Sequence, residues 1–120
     1  KLIYAFSQNR SKKAKEKLID VARNDKDIKA REKAVFWLGQ GKTDEILDLM
    51  VDIYGKSDNI GVKKQIMFSI SQNKSKKAIH ALIDIAKKEE NIELKKQAIF
   101  WLGQSKDADA LKFIKEILEK

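Results

Sequence analysis

Apolar residues recur along the chain at helical spacing. After Ser75 they fall at positions 78, 79, 82, 83 and 86, which form one stripe of an amphipathic helix. Residues that cap helix N-termini precede two sets of such segments: Ser11, Thr43, Ser75 and Asp107 precede the first helices, and Asp27, Asn59 and Asn91 precede the second helices. Side chains of these types accept hydrogen bonds from the exposed amides of a first helical turn. The pattern therefore predicts two kinds of helix that alternate along the chain.

The same pattern returns every 32 residues without a gap, as the glutamines at 8, 40, 72 and 104 show. Each period holds one first helix and one second helix joined by a short polar turn, so the two helices must run antiparallel. Helices of about 14 residues are marginal alone and gain their stability by stacking on neighbours. We therefore predict an all-α fold, a right-handed α-α superhelix (α-solenoid) of about seven helices arranged as helical hairpins. It forms a single domain over residues 1–120.

The first residues fit the pattern as an incomplete unit. Residues 1–8 correspond to the end of a second helix whose first-helix partner is missing, and the chain opens on Lys1 rather than on Met. We expect the chain to be a piece of a longer protein.

A longer period of 64 residues lies above the period of 32. In the column Ala5, Trp37, Ser69, Trp101 a small residue alternates with a tryptophan. We interpret the two tryptophans as packing elements, each of which fills space left by the small residue of a neighbouring repeat. A role in binding a ligand is the alternative.

The second helices carry motifs that resemble a known family. The motifs are Ala30-Arg31, Ala34-Val35 and Trp37-Leu38-Gly39, with Lys95, Ala98-Ile99 and Trp101-Leu102-Gly103 in the later repeat. They resemble the second helix of bacterial HEAT-like repeats, the type also found in phycobilisome lyases. The resemblance implies an armadillo-like superhelix and specifies no activity. It also implies that an acidic residue in the interhelical turn pairs with the basic residue six positions later, as Asp25 with Arg31 and Glu89 with Lys95.

Composition excludes several kinds of chemistry. The chain has no Cys, which rules out disulfides, thiol catalysis and metal sites that use Cys. The single histidine, His80, occupies a column that otherwise holds charged residues, so we interpret it as a surface residue. No apolar run approaches the roughly 20 residues of a membrane span. We expect no catalytic residues, no metal site, no cofactor, no small-molecule substrate and no membrane insertion.

The candidate binding residues lie on one side of the second helices. At 100° per residue, positions 29, 32, 33, 36 and 40 share a side, as do their equivalents in the other repeats. The expected site comprises an aromatic column, a glutamine column and three lysines: Tyr4, Phe36, Phe68 and Phe100; Gln8, Gln40, Gln72 and Gln104; Lys33, Lys64 and Lys96. Two interpretations stay open. The rings pack against one another between repeats, or they form a strip that anchors a partner, since aromatic residues are enriched at interfaces.

Charge favours one class of partner without excluding others. Most of the net charge of +8 belongs to the second helices and the turns, because the first helices are neutral overall. The excess either serves solubility alone or attracts an acidic partner. The leading hypothesis is a non-enzymatic protein-protein interaction scaffold that binds a peptide or protein on its concave face. The alternative is binding of the nucleic-acid phosphate backbone, which Glu32 and Glu93 on the same face disfavour. A purely architectural spacer is the third hypothesis.

Overall fold

Seven helices follow one another in the computed structural model, which describes residues 12–119. They are α1 (Lys12–Asn24), α2 (Ile28–Leu38), α3 (Asp44–Lys56), α4 (Ile60–Asn73), α5 (Lys76–Lys88), α6 (Ile92–Ser105) and α7 (Ala108–Leu118). No strand occurs between residues 12 and 119. The predicted α-solenoid of helical hairpins is confirmed. The expected helix end at residues 1–8, with Tyr4 and Gln8, lies outside the described residues.

The predicted capping residues begin six of these helices. The side chains of Asp27, Thr43, Asn59, Ser75, Asn91 and Asp107 each accept a hydrogen bond from a first-turn amide. At the other end, α4 and α6 stop at Lys74 and Lys106, whose φ angles of 64° and 59° lie in the left-handed region. This conformation ends a helix because it turns the chain away from the helical path.

The helices form two layers of unequal spacing. Within the layer of second helices, α2 packs extensively on α4 and α4 on α6. Within the layer of first helices, α3 contacts α5 only sparsely, and α5 contacts α7 little more. Closer spacing on one side bends an array toward that side, so we call α2, α4 and α6 the inner layer and α1, α3, α5 and α7 the outer layer.

The core lies between the two layers. Leu47 and Met50 of α3 and Leu82 of α5 meet Ile66 and Met67 of α4, and all five are almost completely buried. Along the described helices these residues continue into one apolar cluster that runs from Leu18 to Ala110. Each hairpin therefore obtains its core from the hairpins beside it, as expected of a repeat array.

Close packing of α2 on α4 depends on a small residue at the end of α2. A Cβ added to Gly39 would lie 2.6 Å from the Cβ of Ser69 and 3.3 Å from the carbonyl oxygen of Val35. Ser69 is itself buried, so it has little room to move. The glycine thus permits the tight spacing of the inner layer at this point.

Substituting Gly39 by Ala should therefore destabilise the protein. Overpacking of a filled interior typically costs about 1–3 kcal/mol. The matched control is Gly103→Ala, at the same position two repeats later, where the nearest atom to an added Cβ is Ile114 Cδ1 at 3.8 Å. That variant should be neutral or more stable, since Ala favours a helix over Gly by about 1 kcal/mol. Urea denaturation of both variants measures the difference, and equal unfolding free energies would contradict the role of Gly39.

Candidate protein-interaction face

The sequence-predicted site residues within 12–119 lie together on the solvent side of the inner layer, which we call the inner face. It consists of Lys33 and Phe36 on α2 with Gln40 in the turn after α2, Lys64, Phe68 and Gln72 on α4, and Lys96, Phe100 and Gln104 on α6. The residues on α2 and α6 are exposed, whereas those on α4 are half-buried. This difference arises because α4 packs between α2 and α6. Tyr4 and Gln8 lie outside the described residues.

The aromatic column divides into packed and exposed members. Phe36 is 36% exposed and Phe100 52% exposed, while Phe68 is half-buried. The ring of Phe68 meets Trp101 edge-on, with centroids 5.6 Å apart, and Trp101 meets Phe100 at 5.0 Å. Edge-to-face contacts of this kind stabilise beyond simple burial. Phe68 thus contributes to packing between repeats, and Phe36 and Phe100 present their rings to solvent.

Trp101 is the inner-face residue that sequence reasoning did not include in the site. We assigned the tryptophans to packing, and Trp101 does contact the preceding repeat, through the ring of Phe68. Its contact with Phe100 also makes it part of the inner face. The signal was present in the sequence, since Phe-Trp occurs at 36–37 and again at 100–101. In the earlier repeat Phe36 and Trp37 also meet edge-on, at 5.1 Å.

The glutamine column interacts mainly with its own helices. The side-chain amide of Gln40 donates to the carbonyl oxygen of Phe36 at 3.4 Å, and that of Gln72 donates to Ser71 Oγ at the same distance. Both distances are at the long limit for a hydrogen bond. The amides of Gln40 and Gln72 can therefore exchange these contacts for stronger ones with a partner at little cost.

The three candidate lysines separate into paired and unpaired residues. Lys64 forms an ion pair with Glu93 across the contact between α4 and α6. Lys33 and Lys96 are exposed and take part in no ion pair with any residue between 12 and 119. Each of these two precedes an exposed ring by one helical turn, Lys33 before Phe36 and Lys96 before Phe100. The inner face therefore presents two similar sites, each with one exposed ring and one unpaired cation.

The acidic residues of the inner face shield its charge. Glu32 pairs with Lys29 at 3.7 Å and lies over the backbone of Gly61 on α4. Glu93 pairs with Lys64. Exposed ion pairs contribute only about 0–1 kcal/mol to stability. Their main effect is electrostatic. They make the potential of the inner face less positive than the number of lysines alone suggests.

The turn pairings implied by the family resemblance take a different form. Arg31 donates from Nε to the backbone carbonyl of Asp25, whose carboxylate instead accepts from the Asp27 amide at 2.8 Å. The expected pair of Glu89 with Lys95 is wrong. Glu89 accepts from the Tyr54 hydroxyl at 2.5 Å and pairs with Lys63 of the preceding repeat at 3.8 Å. In the turn before Lys63, Ser57 occupies the position where the family pattern has an acidic residue. Lys63 therefore has no acidic partner at that position and pairs with Glu89 instead.

Burial and charge shift the titration of this cluster. Burial raises the pKa of the Tyr54 hydroxyl well above its usual range, and the hydrogen bond to the Glu89 carboxylate raises it further. Burial alone would raise the pKa of Glu89 as well. Hydrogen bonds from Tyr54 and from the Asn91 amide, together with the charge of Lys63, outweigh that effect and hold the pKa of Glu89 below its ordinary value. The ionised carboxylate therefore links α3, α4 and the turn between α5 and α6.

Stacked helical hairpins in two layers define an α-solenoid, the class of helical-repeat proteins. The family model for HEAT repeats matches residues 16–91, which is more than half of the chain. The chain belongs to the HEAT-repeat family. HEAT repeats are commonly protein-interaction scaffolds and are generally non-catalytic. No curated protein matches the chain.

The described part of the chain lacks two kinds of feature. None of the helices between residues 12 and 119 combines the length and the apolar character that crossing a membrane requires. In the same residues, no three His, Asp or Glu side chains are grouped so that they could hold a metal ion.

Substituting Glu89 by Gln should destabilise the protein in a pH-dependent manner. A group whose folded pKa is lowered stabilises the fold above its unfolded pKa, about 4.3 for Glu, and loses that contribution as the pH falls through the folded pKa. At pH 7 the variant should lose about 1–3 kcal/mol, since it loses hydrogen bonds to a charged group. The difference from the wild type should shrink as the pH falls from the unfolded pKa through the lowered folded pKa of Glu89.

Chemical denaturation at several pH values measures this difference. Glu90→Gln is the matched control, because Glu90 is exposed and its carboxylate forms no ion pair with any residue between 12 and 119. A difference for Glu89→Gln that stays constant from pH 7 to pH 3 would contradict the assigned role of the carboxylate.

Proposed function

We propose that the chain is a non-enzymatic scaffold that binds a peptide or protein on its inner face. The observation that carries the proposal is the repeated pair of an exposed phenylalanine with an unpaired lysine one turn away, at Phe36 with Lys33 and at Phe100 with Lys96. Exposed aromatic rings are typical anchors of protein interfaces. HEAT repeats commonly serve this function, which supports the assignment.

The spacing of the two pairs favours an extended partner segment. Neighbouring helices pack about 8–10 Å apart, so α2 and α6 are separated by about 16–20 Å. An extended chain advances about 3.3 Å per residue and covers that distance in roughly five or six residues. We propose a segment with two apolar side chains at that spacing, accompanied by acidic residues that pair with Lys33 and Lys96.

Charge pairing makes a protein partner a better fit than nucleic acid. Lys64 and Lys29 are paired with Glu93 and Glu32 on the same face. Specific binding to duplex DNA typically neutralises many phosphates, and removal of each counterion adds to the salt dependence. Two unpaired lysines on a face that also presents phenylalanine rings suit an acidic peptide more closely. The motifs of the second helices support the further proposal that these repeats are of the bacterial, phycobilisome-lyase type.

Crosslinking tests whether the inner face is the site. A photo-crosslinking amino acid at position 100 should capture a specific protein from the native cell extract. The same group at position 112, an exposed site on the outer helix α7, is the control and should not capture that protein. Equal capture at both positions, or capture at 112 alone, would place the interface elsewhere.

With the captured partner in hand, two alanine variants separate binding from packing. Phe100→Ala should weaken binding by about 30-fold, equivalent to about 2 kcal/mol for an aromatic anchor, and should change the melting temperature little. Phe68→Ala should chiefly lower stability, by about 2–3 kcal/mol, because its ring packs against Trp101. Calorimetry of binding and thermal unfolding measure the two effects. If Phe100→Ala binds as the wild type does, the inner-face proposal fails.

A salt titration tests the nucleic-acid alternative. We expect no measurable binding to a generic duplex DNA at 150 mM salt. A protein that contacts six or more phosphates loses affinity by about 10³-fold between 50 and 200 mM salt. Fluorescence anisotropy with a labelled duplex measures this. Tight binding at 50 mM that weakens with that slope, and that Lys33→Ala or Lys96→Ala reduces, would favour nucleic acid over protein.

A further inference from the structure

A cleft of about 660 Å³ opens on the outer layer, between α3 and α5. Its apolar floor and walls include Val51, Tyr54, Ala81 and Ile85, and Asp84 lies along one side. The ion pair of Lys77 with Asp48, at 2.9 Å, crosses between α3 and α5 at one end. The cluster of Tyr54, Lys63 and Glu89 closes the other end. The cleft therefore has defined ends and an open middle section.

The equivalent place one repeat earlier holds a much smaller pocket. A pocket of only about 180 Å³ lies there, lined by Arg23, Arg31 and Ile53 among others. These residues occur 32 positions before Gly55, Lys63 and Ile85, which line the large cleft. The guanidinium of Arg23 crosses from α1 to the carboxylate of Asp52 on α3, at 2.8 Å, and closes the groove between the two outer helices.

The repeat that follows also covers its groove. Lys87, the residue 32 positions after Gly55, places its ammonium group 5.9 Å from the centre of the Phe113 ring on α7. Long cationic side chains thus cross the outer grooves at positions 23 and 87. Only the position between them holds a glycine, and a Cβ built there meets no atom within 4 Å. The absence of a side chain at position 55 leaves the α3–α5 groove open.

The open groove leaves one carboxylate and one apolar surface uncovered. Asp84 is the equivalent of Asp52, the acceptor of Arg23. No residue between 12 and 119 forms an ion pair or a hydrogen bond with the Asp84 carboxylate. Val51, on the wall opposite Asp84, is 40% exposed. Both groups face the space that a long cationic side chain at position 55 would occupy.

Three other titratable side chains of the cleft already have partners of opposite charge or a hydrogen-bonded carboxylate. Lys77 pairs with Asp48, Lys63 with Glu89, and His80 lies 3.1 Å from Asp109. At the rim, Lys88 and Glu90 are exposed and form no ion pair within residues 12–119, and Lys88 follows Asp84 by one helical turn. Among the described residues, Asp84 is therefore an unpaired carboxylate that lies beside the apolar middle of the cleft, whereas Lys88 and Glu90 lie at its rim.

We propose that this cleft binds an arginine side chain of a partner protein, whose guanidinium pairs with Asp84 while its methylene groups cover Gly55 and Val51. The partner's side chain takes the position that Arg23 holds in the preceding repeat. Arginine fits better than lysine because its planar guanidinium can donate two parallel hydrogen bonds to a carboxylate. Its apolar stem also suits the exposed surface of Val51. The site lies on the outer layer, so the proposal does not depend on binding at the inner face.

A titration followed by NMR tests the proposal on the 120-residue chain. The probe is acetyl-Leu-Arg-amide, and acetyl-Leu-citrulline-amide is its uncharged counterpart of nearly the same shape. The arginine peptide should shift the amide signals of Val51, Gly55, Ala81 and Asp84 at millimolar concentration. The citrulline peptide should bind at least about tenfold more weakly, because it lacks the charge that Asp84 recognises.

Two variants of one residue distinguish the cleft from other surfaces. Gly55→Arg should supply the missing cation from within the chain, fill the cleft and abolish the shifts. Gly55→Ala is the matched control: it should gain a similar helix propensity, leave the cleft open and keep the shifts. Asp84→Asn should weaken the arginine peptide by about tenfold and leave the citrulline peptide unchanged.

Several results would overturn the proposal. These are the absence of shifts at these residues up to about 10 mM arginine peptide, equal binding of the citrulline peptide, or full binding to Gly55→Arg. Tighter binding of acetyl-Leu-Glu-amide than of the arginine peptide would also overturn the proposal, because it would show that the lysines of the cleft determine what binds there. The two peptides and Asp84→Asn decide the question even if Gly55→Arg does not fold.

Discussion

Close packing of the second helices on one another is the constraint on which the rest of the structure depends. Gly39 lets α2 approach α4 at Ser69, and the contact between Phe68 and Trp101 joins α4 to α6. Tight spacing in the inner layer forces wider spacing in the outer layer, since both layers belong to the same hairpins. The outer helices then have grooves between them that buried apolar residues cannot fill, because these grooves face water. Long charged side chains cover them instead, as Arg23 does where it reaches Asp52.

This geometry explains why ion pairs are so frequent on the outer layer although each contributes little stability. Lys15 reaches Glu45, Lys77 reaches Asp48 and Lys76 reaches Asp107, and each pair joins neighbouring outer helices at 2.7–2.9 Å. Exposed pairs of this kind are typically neutral or stabilising by less than about 1 kcal/mol. Their aliphatic stems, however, cover apolar surface that would otherwise face solvent. The absence of one such side chain therefore changes the shape of the surface more than it changes the stability of the fold. At Gly55, where the neighbouring repeats have a long cationic side chain, the groove is open.

The sequence determined some of these features and not others, for a physical reason. Spacing within one repeat determines the order of the helices, their six described N-caps and the side on which Phe36 and Phe100 lie. The helical period of 3.6 residues and the short connections between helices leave few alternatives. The partner of Glu89 depends on which side chains of two different repeats reach each other in space, and there Ser57 redirects Lys63 away from the pattern of the family. The half-burial of Phe68 likewise arises because α4 has a neighbour on both sides. The sequence did contain an indication of the cleft, because one repeat position holds Arg23, Gly55 and Lys87 in successive repeats. That glycine predicts an open groove only once the contact of Arg23 with Asp52 is known.

The two proposed surfaces differ in how strongly they are coupled to the fold. The inner face is built on the contacts that hold the repeats together, because Trp101 touches both the packed ring of Phe68 and the exposed ring of Phe100. Changes there alter stability and binding together unless they are confined to exposed rings. The outer cleft arises from a missing side chain, and a Cβ at Gly55 meets nothing. Nearest-neighbour coupling governs repeat arrays, so residue 55 can vary without disturbing the inner layer. A fold of this kind can therefore acquire or lose a binding site on its outer layer by a single substitution, while its inner face stays fixed by packing.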